Sequence, residues 1–574
     1  MSIAAKTDAF SGLIPFVIGA TGHRDLCPED LPLLKEKVRG VAEKLAERLK
    51  ATPLLLLSGL AEGADQLVAE VALSAGIGLV VVLPMPMEIY IETMSEEARQ
   101  QFTALFSRAA LKIELPLNGV SGAHLATSES ARVDQYRALA IFLATHSQAL
   151  IALWDGVDGK TGGTAEVVDY VRNGIPHHRS AAKGRALRGT VYHIVTPRRR
   201  HSKRLANAFS VQLLTADDQS RSQSAAVASS LEENIDRFNR DAAQLKPDDP
   251  LLEPLIPKGQ PRIEWPYLQR ISECYSYANA LAMKHQRHRR LYLAAILAFS
   301  LLGFGGLEVH SDIVHWNWLW LVYPVSILFA FALYRASEVG RIESRFHESR
   351  ALAEALRVQF YWGLSGIHEA VSNHYVFHDP SEIGWMVAAT RGLTLFAQEP
   401  PKLTGSQENE HIRATLDRWI VGQADWFDKS SKTQHSAVER LEGITSTALT
   451  FVVGFSLLLA LAVLIPTPWQ PAWSHWINDE FRDKIHFLIV TPSIALGLFK
   501  IWIEQAAYDE QARNYRRMSL LFARGAETLR ECLEAGNMSQ ARVTIKDLGI
   551  RALEENSIWL IMHRERPLKV FSGN

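Results

Sequence analysis

The hydrophobic rhythm of the chain changes character along its length. From residue 14 to 196, short and almost fully apolar runs alternate with amphipathic stretches. Ile14–Ile18, Leu54–Leu57, Leu79–Leu83, Ala149–Trp154 and Thr190–Val195 read as strands, because each is brief and bounded by turn residues. Between them, Pro32–Lys50, Ala64–Ala75, Ser95–Ala109, Val133–Thr145 and Thr164–Asn173 carry one apolar face and predict helices. Strands that are apolar on both faces, alternating with helices, imply a parallel sheet covered on each side. Right-handed crossovers then give an α/β, doubly wound, Rossmann-like domain with a ligand crevice at the carboxyl ends of its strands.

Beyond residue 267 the apolar positions gather into four long blocks, Leu291–Leu307, Trp318–Tyr334, Ile444–Ile465 and Ile485–Ile503. Each approaches the roughly 20 residues that span a hydrocarbon core as a helix. A buried soluble hairpin is the alternative, but the flanks argue for lipid. Trp316, Trp318 and Trp320 cluster in one loop, and Trp469, Trp473 and Trp476 in the other, at the depth indoles prefer. Lys284, Arg287, Arg289 and Arg290 precede the first block, and Arg335, Arg341 and Arg345 follow the second, with no Lys or Arg in the loop between them. The positive-inside rule therefore places both ends of that hairpin in the cytoplasm. The second hairpin carries Arg482 and Lys484 in its loop, with Arg513, Arg516 and Arg517 on the expected cytoplasmic side.

The second block of each pair holds an early proline, Pro324 and Pro492, each 21 residues before an arginine (345 − 324 = 21; 513 − 492 = 21). A unit of helix, span, turn, span and long polar helix thus occurs twice. The prolines are either tolerated or act as hinges. The expected organisation is an α/β domain over 1–197, a basic and proline-rich connector over 198–266, and two membrane units over 267–410 and 411–574. Together the two units form an all-α membrane module with four transmembrane helices and long cytoplasmic helices. The segment Tyr361–Trp385, rich in aromatics and histidine, reads as packing.

Composition narrows the function. With 574 residues and a net charge of −1, the chain lacks the basic field that holds DNA or RNA, so no nucleic-acid partner is expected. Cys27, Cys274 and Cys532 are scattered and make neither a disulfide framework nor a metal spacing. The first ten residues have no basic region followed by an apolar run, so no cleavable signal peptide is expected.

Three motifs follow predicted strands. Gly19-Ala20-Thr21-Gly22-His23-Arg24 places two glycines where a backbone approaches a ligand closely, with an arginine fork suited to phosphate. Ser58-Gly59-Leu60-Ala61-Glu62-Gly63-Ala64-Asp65 puts Asp65 in a first helical turn. Asp155-Gly156 is followed by Gly162-Gly163-Thr164-Ala165-Glu166 at another helix start. Converging at one crevice, they would hold an anionic, nucleotide-like ligand. Gly19, Thr21, Gly22, His23, Arg24, Ser58, Gly59, Gly63, Gly162, Gly163 and Thr164 would grip it, and Glu62, Asp65, Asp155 and Glu166 would read ribose or base. Glu166 is placed to act as a general base, to cap the helix or to accept a ribose hydroxyl.

In these motifs, residues 14–196 resemble the SLOG superfamily, which groups the DNA-processing DprA/Smf proteins with LOG phosphoribohydrolases. Ser58–Asp65 is similar to the DprA turn. Gly162, Gly163, Thr164 and Glu166 resemble a shortened LOG loop, with the acid two residues after the threonine, a spacing that disfavours the hydrolase reaction. The repeated helical unit resembles the SLATT two-transmembrane effector. The resemblance implies a non-enzymatic sensor–effector of bacterial anti-phage defence. Its SLOG-like domain would bind a nucleotide-derived second messenger, a cyclic nucleotide or an ADP-ribose-like molecule, made by an upstream enzyme. A homo-oligomer in the inner membrane, with both termini cytoplasmic, would then open a pore or disrupt the lipid. The alternative is a membrane-tethered nucleotide or NAD hydrolase using Glu166. No cofactor and no metal are expected.

Overall fold

The computed structural model describes residues 12–565, apart from 118–120, 160, 176–187, 200–204, 206, 217–220, 257–264, 313–315, 375–379, 398–402, 465–492, 494–495 and 498–507. Contacts gather the chain into two units. One comprises Met1–Leu281, Arg350–Lys402 and Gly549–Ser557, the other Ala282–Ser349, Leu403–Leu548 and Ile558–Asn574. These units cut across the expected boundaries at 197, 266 and 410.

The first unit is built on seven strands: β1 (Phe16–Gly22), β2 (Leu54–Ser58), β3 (Gly78–Leu83), β4 (Leu111–Glu114), β5 (Ala149–Trp154), β6 (Thr190–Val195) and β7 (Val211–Leu214). They lie in the order β4-β3-β2-β1-β5-β6-β7. The first six are parallel, and β7 runs antiparallel to β6. The five expected strands are all present, and β1 extends through Gly22. The two unexpected strands, β4 and β7, are edges. Lys112 and Glu114 point outward on β4, and Val211 and Leu213 are exposed on β7. An edge strand is not sealed on all sides, so it needs no unbroken apolar run.

The sheet is covered by α1 (Leu31–Arg48), α2 (Ala64–Ser74), α3 (Met87–Ile91), α4 (Glu96–Ser107), α5 (Gly122–Thr127), α6 (Glu129–His146) and α7 (Thr164–Asn173). The short α3 and α5 were not legible as periodic runs. Strand order reverses direction at β1, whose neighbours are β2 and β5. A crevice therefore opens at the carboxyl ends of these three strands.

The expected connector contributes to the core of this unit. Helix α8 (Arg221–Ala243) buries Ile235, Phe238 and Ala242. Its polar residues are buried as well, and they pair with main-chain groups. The Asn239 side chain accepts from Ile14 N–H and donates to Ile14 C=O, both at 2.9 Å, and donates to Thr52 Oγ1 at 3.1 Å. Asp236 accepts from Ala51 N–H at 2.7 Å and from the Thr52 hydroxyl at 3.0 Å. A helix that looks polar in sequence is thus a clamp on the amino ends of β1 and β2. Helix α12 (Pro380–Thr394) also joins this unit, with Ala388 C=O accepting from the Gln148 amide at 3.0 Å. Trp362 and Trp385 are buried, so the described part of the aromatic segment serves packing.

The remaining helices are long. Helix α9 (Pro266–Asp312) has 47 residues, about 70 Å of rise. It is followed by α10 (Val322–Val339), α11 (Ile342–Leu364), α13 (Gly405–Thr415), α14 (Gly422–Leu464), α15 (Tyr508–Glu534) and α16 (Met538–Glu565). Among the described residues, two helical stretches are long and apolar enough to cross a membrane, Pro266–His310 and Asn317–Leu364, where four spans were expected. Only 17% and 11% of their most apolar windows are buried, unlike the core helices of a soluble globule. The third block falls in α14, where Ile444, Leu449, Phe451, Val453 and Leu457 are exposed. The fourth, with Pro492, lies almost wholly outside the described residues, as do Trp469, Trp473, Trp476, Arg482, Lys484 and, from the connector's basic cluster of Arg198, Arg199, Arg200, Lys203 and Arg204, the last three.

The late part of α9 and α10 form an antiparallel hairpin. A Cβ on Gly306 would lie 2.7 Å from Val322, and one on Gly303 3.3 Å from Ser326, so glycine sets the close approach. Phe299 stacks on Phe329, and Arg289 pairs with Glu343 at 3.3 Å. Pro324 sits in the first turn of α10, where its missing N–H has no intrahelical partner to lose. The hinge reading therefore does not apply to it. The polar helix does not continue straight from the second span, because Arg341, at φ +48°, separates α10 from α11. Helices α14 and α15 also run antiparallel, with Ser431 donating to Ala512 C=O at 2.9 Å and Ser519 to Ala424 C=O at 3.1 Å.

Truncating Asn239→Ala strands a buried N–H and a buried C=O of Ile14. Urea unfolding should show a loss of about 2–4 kcal/mol, whereas a surface change on α8 at Glu233 should be nearly neutral.

Candidate functional site

The three motifs all occupy carboxyl ends of adjacent strands: the first follows β1, the second β2 and the third β5. Main-chain bonds tie them together. His23 N–H donates to Leu153 C=O at 3.0 Å, and Ala64 N–H donates to His23 C=O at 3.0 Å. Asp155 N–H donates to His23 Nε2 at 3.0 Å. A nitrogen that accepts carries no proton, so His23 is a neutral imidazole with its proton on Nδ1. Burial agrees, lowering its pKa against the opposing pull of the Asp155 carboxylate, whose Oδ1 lies 3.0 Å away. The His23–Asp155 contact is therefore a brace between two turns, not a standing ion pair. Asp25 receives Arg198 Nε at 3.0 and 3.3 Å, pinning the first turn to the segment after β6.

The glycines serve this brace more than they serve a ligand. Gly63 has φ +89°, and a Cβ there would lie 2.4 Å from Arg24 C=O. A Cβ on Gly22 would lie 2.4 Å from Ala64 Cβ and 2.6 Å from Leu153 C=O. Their missing side chains are replaced by neighbouring turns, which pack backbone against backbone. Gly162, at φ +75°, packs against Tyr136 and Val133 of α6, and Gly19 lies inside β1 against Ser147. Thr21 is buried in β1, opposite Ala152 of β5. Gly163 and Thr164 open α7 without a side-chain cap.

Three of the acids expected to read the ligand are engaged within the protein: Asp155, whose Oδ1 accepts from Val157 N–H at 3.1 Å, Glu62 and Glu166. Glu62 accepts from Ser95 N–H at 3.1 Å and from the Ser95 hydroxyl at 2.8 Å, which anchors the start of α4. Glu166 accepts from Gly162 N–H, from the Tyr170 hydroxyl and from Arg137 Nε at 3.2 Å. Burial alone would raise its pKa, but those donors outweigh it and hold the carboxylate below its ordinary range. Glu166 therefore acts as a loop anchor at the head of α7. Ser58 is buried and its Oγ accepts from Leu60 N–H at 3.1 Å. That bond supports a buried leucine at φ +53°, a conformation that costs about 1–2 kcal/mol.

A buried group beneath these turns keeps spare polar capacity. Asp65, at the start of α2, is buried and accepts one bond, from Ala61 N–H at 3.3 Å. Burial raises its carboxyl to about 7, against weaker lowering by that bond and by Arg24. Tyr90 of α3 is fully buried, and its hydroxyl has no hydrogen-bond partner. A Cβ on Gly59 would lie 2.8 Å from Leu139 Cδ2, 3.5 Å from Asp65 Oδ2 and 3.6 Å from Tyr90 Oη, so the three side chains close around that glycine. Arg24 is exposed above them, its guanidinium 3.3 Å from the Tyr136 hydroxyl and 5.5 Å from that ring. The site thus offers a cation, two phenols and a carboxyl that titrates near neutrality. This set suits a ligand bearing negative charge beside hydrogen-bonding groups. Tyr90, Tyr136, Arg137, Tyr170 and Ser95 carried no motif signal. Tyr136 and Arg137 are ordinary positions of a helix read for its apolar face, and Tyr90 lies in a short helix that periodicity missed.

Asp65 binds its proton more tightly in the folded chain than in the unfolded one. Its contribution to stability is full below the unfolded value near 4 and is lost as pH rises through about 7. Asp65→Asn should unfold at higher denaturant than the parent above about pH 7, by on the order of a few kcal/mol, and should match it near pH 4. Parallel pH–stability curves for the two proteins would show that Asp65 is not held in this way.

No protein-family model and no curated protein matches the chain, so what the crevice accepts is read from its geometry and chemistry.

Proposed function

We propose that the chain is a ligand-gated membrane effector. A nucleotide-derived second messenger, a cyclic nucleotide or an ADP-ribose-like molecule, binds the crevice between β2, β1 and β5. Arg24 takes its phosphate, and Asp65 and Tyr90 its ribose or base. Binding favours one state of the helical part over the other, and the shift equals the difference in affinity for the two states. A homo-oligomer of four-span subunits, in a bacterial inner membrane with both termini cytoplasmic, then opens or disrupts the bilayer. The messenger comes from an upstream enzyme of a SLOG- and SLATT-like anti-phage system.

The observation that carries this reading is the pairing, in one chain, of a topological switch point at β1 with two helical stretches whose most apolar windows are largely unburied. The engagement of Glu166 by three donors supports a binding role over hydrolysis, because a general base needs a free lone pair aimed at substrate.

The test uses the full chain in detergent and then in liposomes. Thermal unfolding against cyclic dinucleotides, NAD, ADP-ribose and cyclic ADP-ribose should single out one class that raises Tm, and only that class should release trapped dye. Arg24→Ala should lose at least about tenfold in affinity while still floating with liposomes. Dye release that ignores every nucleotide, or an unchanged affinity in Arg24→Ala, would overturn the proposal.

A further inference from the structure

At the opposite edge of the sheet, where β5 and β6 begin, the first unit holds a small cavity. Thr145 and Ser147 reach it from the end of α6, Arg188 and Gly189 from the approach to β6, and Arg391 from α12. Among the described residues, no acidic side chain lines it. Arg391 is partly buried, and its Nε is sealed from solvent with no hydrogen-bond partner. Burial lowers the Arg391 pKa to about 10, with no carboxylate offsetting that cost. The neighbouring His146 is held neutral by burial, its pKa brought down to about 4 with the Arg391 charge adding to the effect.

The Ser147 hydroxyl is also buried and unpartnered. The other polar side chains at the cavity are occupied. Thr145 donates to Ile141 C=O at 2.7 Å, and the Gln148 amide bridges Val17 N–H and Ala388 C=O. Arg188 also lines the cavity and has partners of its own in the protein.

Holding a guanidinium partly out of water, with its Nε sealed and unpaired and no counter-charge beside it, is costly, and proteins accept that cost where a ligand supplies the missing charge. A cation with a planar donor fork and an unpartnered hydroxyl, both lining one small cavity, suit the oxygens of a tetrahedral anion. We propose that this cavity is a second, separate ligand site that takes a phosphate-type oxyanion, with Arg391 as its counter-charge and the Ser147 hydroxyl as a donor. Its chemistry is shared by free inorganic phosphate and by the phosphomonoester of a lipid headgroup. It lies across the sheet from the nucleotide crevice and does not depend on that reading.

The full chain in detergent is titrated with inorganic phosphate by calorimetry at constant ionic strength, with chloride as the control. In a second arm, it is mixed with phosphatidylcholine vesicles with and without phosphatidic acid. Saturable binding of phosphate names the free anion as the source, and binding only to phosphatidic acid names the headgroup. Either response should weaken about tenfold or more in Arg391→Met and severalfold in Ser147→Ala, and should persist in Arg24→Ala. In chloride, Arg391→Met should melt no lower than the parent, because it removes an uncompensated charge. No response to either probe, a response in Arg391→Met equal to the parent's, or a fall in its melting temperature in chloride would overturn the proposal. If Arg391→Met fails to fold, Ser147→Ala decides: a weakened response supports the site and an unchanged one refutes it.

Discussion

The carboxyl edge of the sheet depends on a brace made almost entirely of main chain. Ala64 N–H reaches His23 C=O, and Asp155 N–H reaches the His23 ring, so turns from β1, β2 and β5 are locked to one another. The lock closes because Gly22 and Gly63 leave room where a Cβ would collide with a carbonyl. Geometry at this edge is therefore set by the fold itself, and a ligand bound there would meet a low ordering cost. The strained Leu60 fits the same logic, since a buried αL leucine persists only where its surroundings over-determine it.

The brace also sorts the charged groups. Glu62, Glu166 and Asp25 spend their oxygens on internal donors and hold loops in place. Asp65, Tyr90 and Arg24 retain unused capacity in one small region, and Arg391 does so at the opposite edge of the sheet. A protein interior seldom tolerates unspent polar groups, so where they collect is more informative about ligands than where acids and glycines are merely frequent.

In the helical part the constraint is of another kind. Leu291, Leu301 and Leu302 late in α9, Val325, Leu328, Phe329 and Phe331 of α10 and Ile444, Leu449, Phe451, Val453 and Leu457 of α14 are exposed, and the close contacts of the α9–α10 hairpin fall at Gly303 and Gly306. Packing through small residues with bulky side chains turned outward is what a low-dielectric solvent favours, because burying Leu against Leu gains little when the surroundings are already apolar. The same helices in water would expose a large apolar surface without compensation.

Local pattern by itself determined the alternation of strand and helix from 14 to 196, the position of three small-residue turns at strand ends, and the long apolar helices. Each of these follows from side-chain periodicity and turn chemistry over a few residues. Tertiary structure alone decided the rest. It made α8 a structural clamp, because Asp236 and Asn239 look solvent-bound until the amino ends of β1 and β2 present bare main-chain groups to them. It spent Glu62 and Glu166 on internal donors, buried Asp65 and Tyr90 with spare polar capacity, and drew α12 into the first unit. Polar side chains are satisfied by whichever partner lies within about 3 Å, and residues that far apart in space are often a hundred or more apart in sequence, where no local pattern records the pairing.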